Sequence, residues 1–306
     1  MTVSLTILSP IGIGIPALIA NWTDKQQPAQ SGIDATSELN FLLYTDGRTD
    51  KGAMSHRRPP QPVQLWSDFL SMVPPFISYY GKFSAPIKCH TLSIIFHFPG
   101  ALHSNEGLLL EGYNQVKLYR DALLDGSGLF QHIILGNDTQ DYDHWSTGNS
   151  WAVNGMIRVL RIIQLSQFSD KTHSQQADLI NWATTLLNNI WSHQQPDGSI
   201  LNYIDMEPKP GLVKVFPESS GTALAAACTY RLAAWTLNYN WSAVGKADKA
   251  RQYILSKIGS DGWLEGVVDP LNWAAPGQHS PEGQAFTLML AAAWRDYTAQ
   301  KNGNSC

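Results

Sequence analysis

The chain reads as an all-α protein built as a ring of helical hairpins, an (α/α) toroid. Three observations predict it. Runs with a helical spacing of apolar residues fill most of the 306 positions, and an Asp-Gly pair followed by an apolar residue recurs four times. No segment sustains the period-two alternation of a half-buried strand, so strands are expected to be short and confined to loops.

The apolar opening, MTVSLTILSPIGIGIPALIANWT, lacks a positively charged start and is interrupted by Pro10, Gly12, Gly14 and Pro16. Neither a leader peptide nor a membrane span is expected of it. A weak helix candidate covers about 33–43, and clear helices are expected near 63–81, 105–124, 149–166, 174–193, 218–236, 243–258 and 280–299. In SQQADLINWATTLLNNIWSH the apolar residues fall at i, i+3, i+4 and i+7, the mark of one buried face. ESSGTALAAACTYRLAAW opens with an acid and hydroxyls, which suits a helix start, then runs through small residues that let helices approach closely. The Asp-Gly marks at Asp46, Asp125, Asp197 and Asp261 lie 79, 72 and 64 residues apart, room for two helices and their loops. Recurrence at such a period marks stacked units that bury a face against each other, and the glycine can take the left-handed conformation in which helices end. One stretch, about 82–106, has no helical period and a β-like run at 92–98; it reads as an irregular insertion in a single domain spanning 1–306. Its His90, His97 and His103 match no metal-ligand spacing.

Composition excludes several functions. The net charge is −4, from 21 basic and 25 acidic residues, and the longest basic run is His56-Arg57-Arg58. A nucleic-acid partner needs a basic patch to neutralise phosphates, so none is expected. Cys89, Cys228 and Cys306 lie far apart and suggest neither a disulfide framework nor a metal site; Cys228, in an apolar helix, reads as a small buried hydrophobe. With no ligand cluster and no phosphate-cradling glycine motif, no metal and no cofactor is expected. The 11 tryptophans are unusual, and such rings either fill a helical core or line a sugar cleft. Acceptor triplets at Asn21, Asn137 and Asn240 suit a secretory route. An extracellular monomer is expected.

Two stretches could carry chemistry. In LWSDFLSMVPPFISYYG the single carboxylate, Asp68, sits between Trp66 and Phe69 ahead of a double proline. It is either a helix N-cap or a catalytic acid tuned by the apolar wall around it. In HWSTGNSWAVNGMIRVLRII, Trp145 and Trp151 bracket small polar residues at a helix start. Free N–H groups, hydroxyls and flat rings are what a sugar needs, and also what an N-cap beside two core tryptophans would show.

WSDFLSMVPPFISYYG, LFQHI, WSTGNSWAVNGMIRVL, PESSGTALAAACTYRLA and SPEGQAFTLMLAAAWRDY occur in the order seen in six-hairpin glycosidases. The chain most resembles the unsaturated rhamnogalacturonyl and glucuronyl hydrolases, glycoside hydrolase families 105 and 88, from about Ile15 onward. The resemblance implies an (α/α)6 barrel with a central cleft and an oligosaccharide substrate. Asp68 falls on the family's catalytic acid, with Met72 and Pro75 in place. That acid protonates the C4=C5 double bond of a terminal unsaturated uronic acid; water then adds, and the hemiketal collapses to release the next sugar. An apolar wall would raise the pKa of such an acid. The resemblance places Trp66, His132, Trp145, Thr147, Asn149, Trp151 and Glu218 around the substrate. Two features depart from it. Thr147 stands where the better-known members carry an arginine that could grip a carboxylate by two hydrogen bonds. No Asp or Glu precedes Asp24, although the family has a further acid on an earlier hairpin, so the ring is expected to be incomplete at the N-terminus. An ordinary glycosidase on this fold would need a second carboxylate, for which Glu218, Glu282 and Asp143 are candidates. A lyase would rely on residues such as His56, His132 or Tyr203, and an inactive carbohydrate-binding toroid is the remaining alternative.

Overall fold

The computed structural model describes residues 14–23, 28–82 and 105–303. Most of the irregular 82–106 stretch, its three histidines, Cys89 and Cys306 lie outside the described residues. Among those described are α1 (Gly14–Thr23), α2 (Pro28–Tyr44), α3 (Phe69–Lys82), α4 (Glu106–Leu123), α5 (Ser146–Gln164), α6 (His173–Ser192), α7 (Ser219–Trp235), α8 (Ala243–Ser256) and α9 (Pro281–Lys301). Three antiparallel pairs of short strands join them: β1 (Gln64–Trp66) with β2 (Ile133–Leu135), β3 (Ile200–Leu201) with β4 (Pro217–Glu218), and β5 (Val268–Asp269) with β6 (Asn272–Pro276). None of the described helices is long and apolar enough to cross a membrane.

The helices belong to an all-α toroid. α3, α5, α7 and α9 pack side by side in chain order, and α4, α6 and α8 each lie against the helix before them. Burial follows this layout. α7 is buried along most of its length, so its run of alanines meets neighbours on several sides, whereas α6 buries one stripe, Leu179, Ala183, Leu186, Leu187, Ile190 and Trp191.

The repeat is real, but its register is not the one the Asp-Gly pairs suggest. Each unit turns through a three-residue hairpin loop ending in a left-handed glycine: Gly52, Gly128, Gly198 and Gly262, with φ of 93°, 79°, 102° and 85°. The same two backbone bonds recur in each, as in Asp125 N–H to Leu129 O (3.2 Å) and Gly128 N–H to Asp125 O (3.1 Å). A type I turn followed by a left-handed residue closes such a loop, and glycine takes that conformation without a Cβ clash. In the first two units the glycine falls later than Gly47 and Gly126. The apolar residues two places on, Met54, Phe130, Ile200 and Leu264, are all buried.

The helix starts repeat too, as Trp-Ser-Asp-Phe, Trp-Ser-Thr-Gly, Glu-Ser-Ser-Gly and Ser-Pro-Glu-Gly at 66–69, 145–148, 218–221 and 280–283. The backbone N–H of Ser67, Ser146 and Ser219 donates to the carbonyl of His132, Asn202 and Gly266 in the following unit at 2.8–2.9 Å. His56, His132, Asn202 and Gly266 therefore hold equivalent places, each four residues past a left-handed glycine. Asp68 is equivalent to Thr147, Ser220 and Glu282. The double proline of α3 is accommodated by its neighbour: Pro75 leaves the Ser71 carbonyl without its helical donor, and Arg158 Nη1 of α5 donates to it at 2.8 Å.

Candidate active site

The end of β1 and the start of α3 carry Trp66 and Asp68, and the loop into β2 carries His132. Because β1 pairs with β2, with Trp66 opposite Ile133, acid and imidazole are brought together by backbone register. Asp68 Oδ2 lies 3.5 Å from His132 Nε2; the Asp68 side chain is 14% exposed and that of His132 is fully buried. At 3.5 Å the contact is an ion pair rather than a formed hydrogen bond, and Nε2 has no hydrogen-bond partner. The other polar partner of Asp68 is Ser67 Oγ at 3.3 Å. Its side chain is thus turned toward His132.

The electrostatics correct one expectation. Burial pushes the Asp68 carboxyl up, but the interaction with His132 and the nearby His56 outweigh it and hold the carboxyl below its ordinary value. Burial disfavours a charged His132, yet Asp141 and Asp68 more than offset this and raise the imidazole above its ordinary value. A wall of rings alone would have kept the acid protonated; a buried imidazole behind it reverses the outcome.

Rings enclose the pair. The His132 ring lies 4.5 Å from Trp145, 5.7 Å from Trp66 and 5.3 Å from Trp273, centroid to centroid. His56 stacks on Trp66 at 4.7 Å with 12° between planes, and burial lowers its pKa to about 4, leaving a neutral ring. Trp145 Nε1 donates to Asn202 Oδ1 at 3.0 Å, while Asn202 Nδ2 donates to the carbonyls of Lys214 and Trp273, tying the loop before β4 and strand β6 to the site.

Trp66, Asp68, His132 and Trp145 are therefore brought together, with His56 stacked on Trp66 and Tyr203 joined to His132 through Asp141; the remaining sequence candidates are engaged elsewhere. Glu218 is fully buried and caps α7, accepting from Ser220 N, Gly221 N, Val268 N and Thr147 Oγ1 at 2.6–3.1 Å. Thr147 thus spends its hydroxyl on Glu218. Asn149 is fully buried, accepting from Phe130 N and donating to the carbonyls of Phe130 and Trp145. Trp151 packs edge-on against Phe286 of α9. Asp143 is ion-paired with Lys214, and Glu282 is exposed at the start of α9, accepting from Ser280 Oγ at 3.1 Å. Sequence reasoning missed Asp141, which accepts from His132 Nδ1 at 2.9 Å and from the Tyr203 hydroxyl at 2.6 Å. It also missed Trp273 and Asn202. A lone indole on a short strand carries no motif, and the equivalence of Asn202 with His132 emerges only from the backbone of the left-handed glycines.

No protein-family model matches the chain, and no curated protein does. Solved structures do. A possible member of glycoside hydrolase family 105 from Salmonella enterica superposes with a TM-score of 0.70 at 19% identity, covering 93% of this chain and 70% of that one. A family 105 glycoside hydrolase from C. acetobutylicum gives 0.67 at 14%, covering 92% and 78%. The unsaturated glucuronyl hydrolase of Bacillus sp. GL1, described as responsible for glycosaminoglycan degradation, gives 0.63 at 13%, covering 93% and 73%. These likenesses show the fold, as the resemblance implied. A polysaccharide lyase and a D-mannose isomerase also superpose, so the fold alone does not choose a reaction. Among the described residues no group of His, Cys, Asp and Glu could hold a metal ion.

Proposed function

We propose that the protein is a glycoside hydrolase that removes a terminal unsaturated uronic acid from oligosaccharides by hydration, with Asp68 as acid and base. The observation that carries this reading is a partly exposed carboxylate set against a fully buried imidazole and walled by Trp66, Trp145 and Trp273. Indole faces suit the apolar face of a sugar ring, and the shared fold of unsaturated glucuronyl hydrolases supports the same reading. In the resting site the proton lies on His132 and Asp68 is ionised. An anionic sugar beside Asp68 raises that carboxylate's proton affinity, since like charges repel, and the proton passes from Nε2 to Oδ2. Asp68 then protonates one carbon of the enol ether. Water adds to the adjacent carbon while Asp68 takes back a proton, and the hemiketal opens to release the next sugar.

Two cations border the rings: the Arg57 guanidinium lies 5.6 Å from Trp66 and the Lys214 ammonium 4.5 Å from Tyr203. In this reading they meet the sugar carboxylate, in competition with Asp138 at Arg57 and Asp143 at Lys214, because Thr147 offers no charge. A panel of unsaturated and saturated uronic disaccharides tests the proposal. Hydration destroys the ultraviolet absorbance of the double bond, whereas a lyase creates it. Retained turnover in Asp68→Asn would remove Asp68 from the mechanism. The Thr147–Glu218 bond favours one second reading, a carbohydrate-binding toroid; calorimetric sugar binding without turnover across the panel would select it.

A further inference from the structure

We propose that Asp141, held between Tyr203 and His132, is the positioning residue that keeps the proton of the Asp68–His132 pair in place. Its carboxylate accepts from both the Tyr203 hydroxyl and His132 Nδ1, at 2.6 and 2.9 Å. This rests on Asp68 being the acid and base, and adds a residue that no motif marks.

Asp141 is fixed from its backbone outward. Its N–H and carbonyl pair with Ile133 at 3.0 and 2.8 Å, and its Oδ1 accepts from the Asp143 N–H at 3.3 Å. The carboxylate therefore arrives at Nδ1 already oriented. With Nδ1–H committed to Asp141, the only proton His132 can pass to Asp68 is the one on Nε2, along the 3.5 Å gap. Such a bond fixes the ring's tautomer and orientation and strengthens its hold on the second proton. Tyr203 works against that. By donating to Asp141 it spreads the carboxylate's charge and moderates its pull on the imidazole. Asp141 is itself held below the ordinary carboxylate value: burial raises it, and His132 and Tyr203 more than offset that. Among the described residues the charged and titratable groups facing His132 and its partners are Asp68, Asp141, His56 and Tyr203, with Tyr119, Asp143, Lys214 and Arg57 beyond them. None of them replaces Asp141 at Nδ1.

The test is a nuclear magnetic resonance titration of the full chain with ¹⁵N-labelled histidine, the His132 signals being assigned by their loss in His132→Gln. Asp141→Asn should lower the His132 midpoint by at least about one pH unit, a tenfold loss of proton affinity. Asp141→Glu should restore much of it, and Tyr203→Phe should move the midpoint upward. If turnover is detected, the limb of the kcat/KM profile that reports loss of this proton should move by the same amount and in the same direction. An Asp141→Asn protein that melts like the wild type but titrates like it overturns the proposal. Should that variant not fold, an unmoved midpoint in Tyr203→Phe does so. Shifted midpoints in a protein that turns over no sugar would leave this relay standing and remove the proposed activity instead.

Discussion

Asp68 and His132 face each other across 3.5 Å, and of the two side chains only the carboxylate reaches solvent. The solvent-facing group is thus the weaker proton holder, and the stronger one is sealed behind it. Asp68→Asn keeps the shape and removes the acid. It should lower kcat by about 10²–10⁴-fold, the usual contribution of a positioned acid or base. Steady-state turnover beside far-ultraviolet circular dichroism checks this, and activity within a few-fold of wild type would refute it.

Glu218 occupies the place of Trp66 and Trp145 in the repeat, yet it serves the fold. Glu218→Ala orphans several buried donors and should cost about 3–5 kcal/mol. Glu218→Gln, which keeps some acceptors, should cost less. Urea unfolding measures both, and sugar affinity of whichever variant folds should be unchanged. A loss of affinity without a loss of stability would return Glu218 to the binding site.

Asp46 is buried at the end of α2, with Oδ2 unpartnered. Burial pushes its pKa up to about 7, against the lowering effect of the Gly47 N–H, Arg58 and Arg48. Its folded value thus exceeds its unfolded one. The stability this contributes is full below about pH 4 and lost as pH rises through about 7. Asp46→Asn cannot ionise and should melt above the wild type at pH 8, with the gap closing toward pH 4. His56, lowered to about 4, acts in the opposite sense as pH falls below its ordinary 6.5, but it is common to both proteins and cancels in the difference. A gap that does not change with pH would refute the assignment.

Arg158 replaces a backbone donor that Pro75 lacks. Arg158→Met keeps much of the apolar stem and leaves the Ser71 carbonyl unsatisfied, at an expected cost of about 1–3 kcal/mol. Restoring an N–H with Pro75→Ala in that background should recover part of the loss. The double-mutant cycle is read by urea unfolding, and strict additivity would show that the two residues do not compensate each other.

Much of this was legible in the chain. Helical periodicity, hydroxyl-rich helix starts and the four glycine-marked turns are local properties, written within a few residues of where they act, and they determine an all-α repeat. Asp68 stood out as the single carboxylate of an apolar run beside Trp66, Trp145 as an indole at a polar helix start, and His132 through the family resemblance alone. Whether such a residue faces the cleft or braces the fold was not local. Glu218, Thr147 and Asn149 carry the chemistry of a binding site, yet their polar atoms are taken up by backbone and side-chain groups that the turns bring from other units. The charge state of Asp68 was beyond the sequence for the same reason. Neighbouring rings predict a raised pKa, but the group that decides it is His132, brought in from another loop by the pairing of β1 with β2 and backed by Asp141. Helix formation depends on neighbours along the chain, whereas proton affinity depends on neighbours in space, and only the packed structure supplies those.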